Sequence, residues 1–80
     1  MLDGNAIGGM LEDIFGDDMT TAVATCAACG RGGPLAETTV YLRAPGVVVR
    51  CRYCEAVLGV VVERRSTYCI DLSGVSALTT

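Results

Sequence analysis

Two cysteine pairs of the form Cys-x-x-Cys constrain this 80-residue chain more than any other feature. Cys26 and Cys29 form the first pair, Cys51 and Cys54 form the second, and 21 residues separate the pairs. A two-residue spacing lets both thiolates of a pair bind one ion from a tight turn, and four thiolates at about 2.3 Å complete a closed tetrahedral site. Because the intervening segment can form one hairpin that returns the second pair to the first, the spacing predicts one structural Zn²⁺ ion.

Two other chemistries are compatible with the same four thiols. An iron site of the rubredoxin type uses the same geometry, so the spacing does not separate iron from zinc. A thiol redox or metal-handling role is the second alternative, although a redox dithiol requires only one such pair, placed at the N-terminus of a helix.

The fifth cysteine, Cys69, falls within a segment that alternates Tyr68, Ile70 and Leu72 on one face. Strand alternation then directs Cys69 to the opposite face. We expect it to be a small, semi-buried hydrophobic residue. A reactive thiol or a substitute metal ligand is the alternative.

Length and charge narrow the class of function. We expect one domain, residues 1–80, whose core is marginal without a metal, a disulfide or a partner. The net charge of −3 argues against general phosphate binding. This net charge is unevenly distributed. Residues 1–25 contain five acidic residues and carry −5, whereas residues 26–80 contain six arginines and four acidic residues and carry +2. The chain has no histidine, and no phosphate-binding or catalytic motif is recognisable, so we expect a protein that is not an enzyme.

The apolar segments of the sequence indicate the cellular compartment. The chain begins without a basic leader followed by a long apolar stretch, which is not typical of a signal peptide. The apolar run 56–62 is too short to cross a membrane. We therefore expect a cytoplasmic protein, in which paired cysteines are reduced and available to a metal.

The N-terminal segment, residues 1–16, predicts an amphipathic helix. Asp3 is a candidate N-cap and Gly16 a candidate terminating residue. Gly8 and Gly9 fall inside the pattern and predict either a kinked helix or close approach of another backbone. A helix of this length is not stable alone in water. We therefore expect it to cover the rest of the domain or to dock on a partner. The apolar stripe consists of Leu2, Ala6, Ile7, Met10, Leu11, Ile14 and Phe15.

Residues 20–72 predict a ribbon of short antiparallel strands. Pro45 and Gly46 suit a type II turn that closes a hairpin ending at the second cysteine pair. The cluster 30–34 predicts a turn, and Gly59 is a candidate bulge. Residues 73–80 are a tail to which the sequence assigns no structure. The strand segments are 20–26, 37–43, 47–51, 56–63 and 68–72.

The arginines have two alternative roles. Arg31, Arg50 and Arg52 lie beside the cysteines, where they would offset the formal charge of −2 that four thiolates and a divalent ion carry together. Contact with nucleic acid is the alternative, with Tyr41 or Tyr53 stacking on bases. That interface requires convergence on one face of Arg43, Arg50, Arg52, Arg64 and Arg65.

The cysteine turns resemble the knuckles of zinc ribbons. The stretch CAACG resembles the common CPxCG knuckle, with Ala27 at the proline position, whereas CRYCE has Glu55 in place of the final glycine. The second turn is therefore expected to be strained or to use a different amide geometry.

The whole chain resembles a family of short actinobacterial four-cysteine zinc-ribbon proteins of unknown function. The residues that carry this resemblance are LDGNAI, FGDDMT, VYLRAPG, RCRYCEAVL and DLSG. This resemblance implies a bacterial cytoplasmic protein that binds zinc through Cys26, Cys29, Cys51 and Cys54. It supplies no established activity.

We therefore expect a small, metal-stapled α+β fold, with an N-terminal amphipathic helix packed on an antiparallel zinc-ribbon sheet of three to five short strands. We expect a non-enzymatic protein–protein interaction or regulatory accessory module, with residues 1–16 as a candidate docking element. A nucleic-acid-binding or transcription accessory ribbon is the first alternative, and a thiol redox or metal-handling protein is the second.

Overall fold

A computed structural model describes residues 2–43, 46–65 and 67–79, which form a small α+β fold with two antiparallel sheets. The large sheet has the strand order β1-β4-β5-β6-β7, in which β1 contributes only two residues, and the small sheet has the order β3-β2-β8. Short 3-10 helices span Gly4–Ile7 and Leu35–Glu37. The other elements are β1 (Leu2–Asp3), α1 (Gly8–Phe15), β2 (Val23–Cys26), β3 (Gly32–Pro34), β4 (Thr39–Arg43), β5 (Gly46–Arg50), β6 (Val57–Arg64), β7 (Thr67–Asp71) and β8 (Val75–Thr79).

Alternating burial gives the large sheet an inner and an outer face. Val49 pairs with Val40, Val47 pairs with Val61, and all four side chains are buried on the inner face. The alternate residues are only partly buried and point to the other side, because successive side chains of a strand alternate. We call this side the outer face; its apolar members are Tyr41, Val48, Val60 and Val62.

The large sheet confirms the predicted strands and places the predicted bulge. Arg50 pairs with Val57 while Val49 pairs with Gly59, so Leu58 is the extra residue and lies next to the predicted bulge position. Leu58 and Gly59 are both buried, as a bulge allows for consecutive residues. The turn predicted at Pro45 lies outside the described residues.

The N-terminal helix begins later than predicted. Residues 4–7 form a 3-10 helix, and α1 begins at Gly8 after Ile7, so Asp3 is not its N-cap and pairs instead with Thr39. Gly8 and Gly9 therefore occupy the first turn of the α-helix, where a 3-10 segment meets it, and not the helix interior. Gly16 ends the helix as predicted, in the left-handed conformation with φ 82°.

The helix covers the inner face of the large sheet. Ile7 and Leu11 are buried in the core, and Met10 and Ile14 pack against it, whereas Phe15 is 37% exposed. The core also contains residues of both sheets and of the loops between them. Its members are Ile7, Leu11, Met19, Ala22, Ala24, Cys26, Leu35, Val40, Val47, Val49, Cys51, Leu58 and Val61.

The small sheet corrects two sequence-based expectations. Residues 32–34, predicted as part of a turn, form a strand that pairs with β2. Residues 75–79, to which no structure was assigned, form β8 on the other side of β2. The expected single sheet is therefore two sheets, because the C-terminal segment pairs with a strand about fifty residues earlier instead of extending the hairpins.

Gly4 marks the closest approach between the N-terminal segment and the rest of the chain. A Cβ atom at this position would lie 1.6 Å from the carbonyl oxygen of Leu35 and 2.9 Å from the hydroxyl of Thr38. The backbone contact anticipated at Gly8–Gly9 is thus found four residues earlier; Gly8 meets only a side-chain methyl of Thr20, at 3.2 Å.

We expect Gly4→Ala to lower the free energy of unfolding by about 3 kcal/mol, because the added methyl group must displace backbone atoms. Gly9→Ala is the matched control, since a Cβ there has no neighbour within 4 Å. It should raise stability by up to about 1 kcal/mol through helix propensity. Urea denaturation of the two variants measures both effects, and equal stabilities would contradict the close approach at Gly4.

Candidate metal centre

The first cysteine turn follows β2 directly. The Cys26 amide donates to the carbonyl of Arg31 at 2.9 Å, and the Gly30 amide donates to the carbonyl of Cys26 at 2.9 Å. Gly30 has φ 77°, which lets the chain reverse without steric cost. The turn therefore places Cys26 at the end of a strand and Cys29 at the tip of the loop.

The second cysteine turn repeats this pattern between β5 and β6. The Cys51 amide donates to the carbonyl of Ala56 at 2.9 Å, and the Glu55 amide donates to the carbonyl of Cys51 at 3.0 Å. Glu55 occupies the position of Gly30 and has φ 64°, a conformation in which a side chain is strained. Of the two possibilities left by the sequence, strain and a different amide geometry, the structure has the strained turn.

The two turns bring four thiols together. The Cys26 Sγ–Cys54 Sγ and Cys29 Sγ–Cys51 Sγ distances are both 3.7 Å, and all four sulfur atoms lie within 4.8 Å of one another. A tetrahedron with metal–sulfur bonds of about 2.3 Å has sulfur–sulfur edges of about 3.8 Å. The four cysteines could therefore hold a metal ion, and they fit it with only a small contraction.

Burial follows the position of each cysteine in its turn. Cys26 and Cys51, at the strand ends, are 2% and 4% exposed, whereas Cys29 and Cys54, at the loop tips, are exposed. The centre is thus anchored on its inner side in the hydrophobic core and is open to solvent at the tips of both turns.

The backbone of the turns is oriented to stabilise thiolates. An N–H donor from Cys29 lowers the pKa of Cys26 to about 7, against the opposing effect of burial. Burial raises the pKa of Cys51, but amide donors of Cys54 and Tyr53 outweigh it and the net pKa is lowered; the Tyr53 amide lies 3.4 Å from that sulfur. These amides favour the deprotonated form that a metal requires.

The pKa of Cys54 is raised, in contrast to those of Cys26 and Cys51. The Ala56 amide lowers its pKa, but burial and the neighbouring thiols raise it to about 11 overall. Four negative sulfur atoms at this separation repel one another. A divalent cation among them would therefore stabilise the deprotonated forms of all four.

Three arginines surround the centre, and each contacts a protein group. The Arg31 guanidinium, on the first turn, lies 5.0 Å from the ring centroid of Tyr53 on the second turn. Arg52 lies 5.6 Å from the same ring and forms an ion pair with Glu37. Tyr53 thus joins the two cysteine turns through cation–π contacts. The sequence did not predict the Glu37 contact, because fifteen residues separate the partners.

Arg50 makes a similar pair on the outer face. Its guanidinium donates to the carbonyl of Glu55 at 2.9 Å and lies 5.7 Å from the ring centroid of Tyr41. The hydrogen bond supports the carbonyl of the strained residue in the second turn. Arg50, Tyr41, Val48 and Glu55 line a shallow groove.

The five arginines proposed for nucleic-acid contact lie at two ends of the large sheet. Arg50 and Arg52 lie at the cysteine end. Arg64 and Arg65 are exposed at the other end of β6, about 23 Å away for seven residue steps of a strand. The backbone of Arg43 is also at the far end, because it pairs with Gly46, which pairs with Val62; its side chain lies outside the described residues.

Cys69 lies apart from the four-thiol cluster. It is on β7, paired with Val62, and is exposed, which corrects the expectation of a semi-buried residue. Ile70, on the opposite face of the strand, is also 37% exposed. Both side chains are exposed to solvent because β7 is the terminal strand of its sheet.

Fold and site together define a small α+β protein with two antiparallel sheets and a four-cysteine centre that could hold a metal ion. The chain matches, over residues 1–80, the family described as "Family of unknown function (DUF6510)", and it belongs to that family. No curated protein and no solved structure matched it. Within the described ranges, no helix is both long and apolar enough to cross a membrane.

We expect Glu55→Gly to raise the free energy of unfolding by about 1 kcal/mol, because glycine adopts φ 64° without strain. The reciprocal variant Gly30→Ala should lower stability by a similar amount. Chemical denaturation of the metal-loaded variants measures both.

Glu55→Gln separates strain from charge, because it removes the carboxylate and keeps the strained backbone. Its stability should stay near that of the wild type. If Glu55→Gln and Glu55→Gly stabilise the protein equally, the relevant property is the negative charge near the thiols and not the backbone conformation.

Proposed function

We propose that this chain is a non-enzymatic zinc ribbon in which one Zn²⁺ ion, bound by Cys26, Cys29, Cys51 and Cys54, is structural, and that it acts as a protein–protein interaction or regulatory accessory module in the cytoplasm. The observation that carries the proposal is the closed cluster of four thiols at tetrahedral spacing. Four thiolates leave no open coordination position for a substrate. A structural ion is therefore favoured over a catalytic one.

Zinc suits the energetics of so small a chain. The apparent binding free energy of a structural zinc site is about 10–16 kcal/mol, which equals or exceeds the whole stability of a typical domain. The first turn ends a strand of the small sheet, and the second joins two strands of the large sheet. One ion would thus connect both sheets.

The outer face supports a role in protein contact. Tyr41, Val48, Val60 and Val62 lie side by side on this face and are only partly buried, and the helix packs on the opposite face. A continuous apolar surface with charged residues at its margins is typical of protein interaction sites.

Residues 1–16 are better explained as a cover than as an exchangeable docking element. Ile7 and Leu11 are buried in the core, β1 pairs with β4, and Gly4 contacts the backbone of Leu35. Releasing this segment would expose the inner face of the large sheet. We therefore place the partner surface on the outer face.

A nucleic-acid-binding ribbon is the second candidate. It is favoured by Tyr41 and Tyr53, each of which has an arginine over its ring, an arrangement that also stacks on bases. It is disfavoured by the separation of Arg50 and Arg52 from Arg64 and Arg65 along β6, and by the net charge of −3.

We expect the purified protein to contain about one Zn²⁺ per chain and to unfold cooperatively when a strong chelator removes it. Cys26→Ser and Cys51→Ser should lose both metal and fold. Cys69→Ser is the matched control, because Cys69 lies outside the cluster, and it should retain both. Elemental analysis and amide NMR spectra provide the measurements.

The same samples separate the alternatives. An unchanged amide spectrum after complete metal removal would refute a structural role for the ion, and iron in place of zinc would show a rubredoxin-type centre. Rapid disulfide formation with metal release under mild oxidant would favour the thiol redox role.

We expect the outer face to determine which proteins the metal-loaded chain captures from a native lysate. Val48→Thr with Val60→Thr keeps β-branched shape while lowering apolarity, and should abolish specific capture. Val23→Thr, at an exposed valine of the small sheet, is the control and should leave capture unchanged. Capture is read by quantitative mass spectrometry.

Nuclease treatment of the lysate distinguishes the two candidate functions. Capture that survives nuclease and requires Val48 and Val60 supports protein contact. Capture that nuclease abolishes, and that increases steeply as salt is lowered, would favour the nucleic-acid ribbon instead.

A further inference from the structure

The edge of the large sheet at β7 is open. β7 is the last strand in the order β1-β4-β5-β6-β7, and it pairs only with β6 among the described strands. Four of its five residues, Thr67, Cys69, Ile70 and Asp71, are exposed. An edge strand presents unpaired N–H and C=O groups that can pair with another strand.

The other sheet edges are less suited to pairing. β1 has only two residues, and β3 consists of two glycines and Pro34. The pairing of β8 with β2 is interrupted by a register shift at Thr25–Cys26. Short length, proline and bulges are the usual means of protecting an edge. β7 has none of these, and its single charged residue, Asp71, stands at its end.

An exposed apolar surface lies beside this edge. Ile70 and Phe15 are each 37% exposed and line the same apolar cavity between the helix and the two sheets. A strand added next to β7 would cover Ile70 and continue the inner face of the sheet.

The charges around β7 identify a second copy of this chain as the complementary strand. Arg64 and Arg65 precede β7, and Asp71 ends it. When two identical strands pair antiparallel, the basic end of each lies beside the acidic end of the other. The edge formed by β7 and the turn that precedes it is therefore complementary in charge to the same edge of a second copy.

We propose that β7 pairs antiparallel with β7 of a second copy of this chain, and that the two large sheets join into one continuous sheet across a two-fold axis. The register that pairs all five residues places Cys69 opposite Cys69 of the second copy. Ile70 then faces Tyr68 of the second copy on the inner face. This inference goes beyond the proposed function and does not depend on the identity of the metal.

The contact is small, so the dimer should be weak. Five paired residues and one apolar side chain on each copy bury less than the roughly 1,200 Å² of a stable specific interface. We therefore expect a monomer–dimer equilibrium that depends on protein concentration, without any disulfide.

The test uses the central position of the register. Cys69 is exposed, so Cys69→Lys and Cys69→Glu can be made without disturbing the core. Because like charges directly opposite in a sheet repel, each variant alone should dimerise at least about tenfold more weakly than the wild type. An equimolar mixture of the two should form a heterodimer of about wild-type affinity or tighter. Cys69→Ser is the neutral control and should match the wild type within about threefold.

The measurement is sedimentation velocity of the metal-loaded full chain, in reducing buffer, at protein concentrations up to about 1 mM. Amide NMR spectra at low concentration verify that each variant keeps the monomer fold. A wild type that is monomeric throughout, a dimer that disappears in reducing buffer, or lysine and glutamate variants that dimerise like the serine control would each overturn the proposal. So would a mixture that is no tighter than its components.

Discussion

The meeting of four thiols from two separate sheets is the constraint around which the rest of the structure is arranged. The first cysteine turn ends β2 of the small sheet, and the second lies between β5 and β6 of the large sheet. Backbone hydrogen bonds reinforce the junction next to it: the Ala27 amide donates to the carbonyl of Gly74, and the Gly74 amide donates to that of Leu58. The segments joined at this junction cover part of the inner face of the large sheet. The position of the four thiols therefore also influences which residues the core buries.

The core by itself gives little stability, for reasons visible in its composition. Thirteen apolar side chains are buried among the described residues, and only five of them, Ile7, Leu11, Met19, Leu35 and Leu58, are larger than valine. The stabilisation from burial is roughly proportional to the apolar area removed from water, so each of the eight smaller side chains (four valines, two alanines and two cysteines) contributes less. The N-terminal segment supplies two of the five large side chains, Ile7 from the 3-10 helix and Leu11 from α1.

Local patterns in the sequence predicted what is local in the structure. The strands predicted at 37–43, 47–51 and 56–63 and the helix end predicted at Gly16 depend on neighbouring residues. The structure confirms them within two residues, as Thr39–Arg43, Gly46–Arg50 and Val57–Arg64, with the helix ending before Gly16. The pairing of β8 with β2 and of β3 with β2 was not predictable, because residues 75–79 and 32–34 have weak strand patterns and acquire partners only through the fold. The close backbone approach at Gly4 and the contact of Arg31 with Tyr53 likewise depend on segments that are distant in sequence.

The contacts of the arginines are the reason for placing the proposed partner surface on the apolar residues of the outer face. Around the centre, Arg50 is occupied by the carbonyl of Glu55, Arg52 by the carboxylate of Glu37, and Arg31 by the ring of Tyr53. A ligand that recruits these guanidinium groups must replace their present contacts, of which the one between Arg31 and Tyr53 joins the two cysteine turns. An apolar partner on the outer face needs no such exchange, because Val48, Val60 and Val62 contribute partly exposed side chains whose removal from water is itself favourable. These three arginines are thus less available to bind phosphate than guanidinium groups without such contacts.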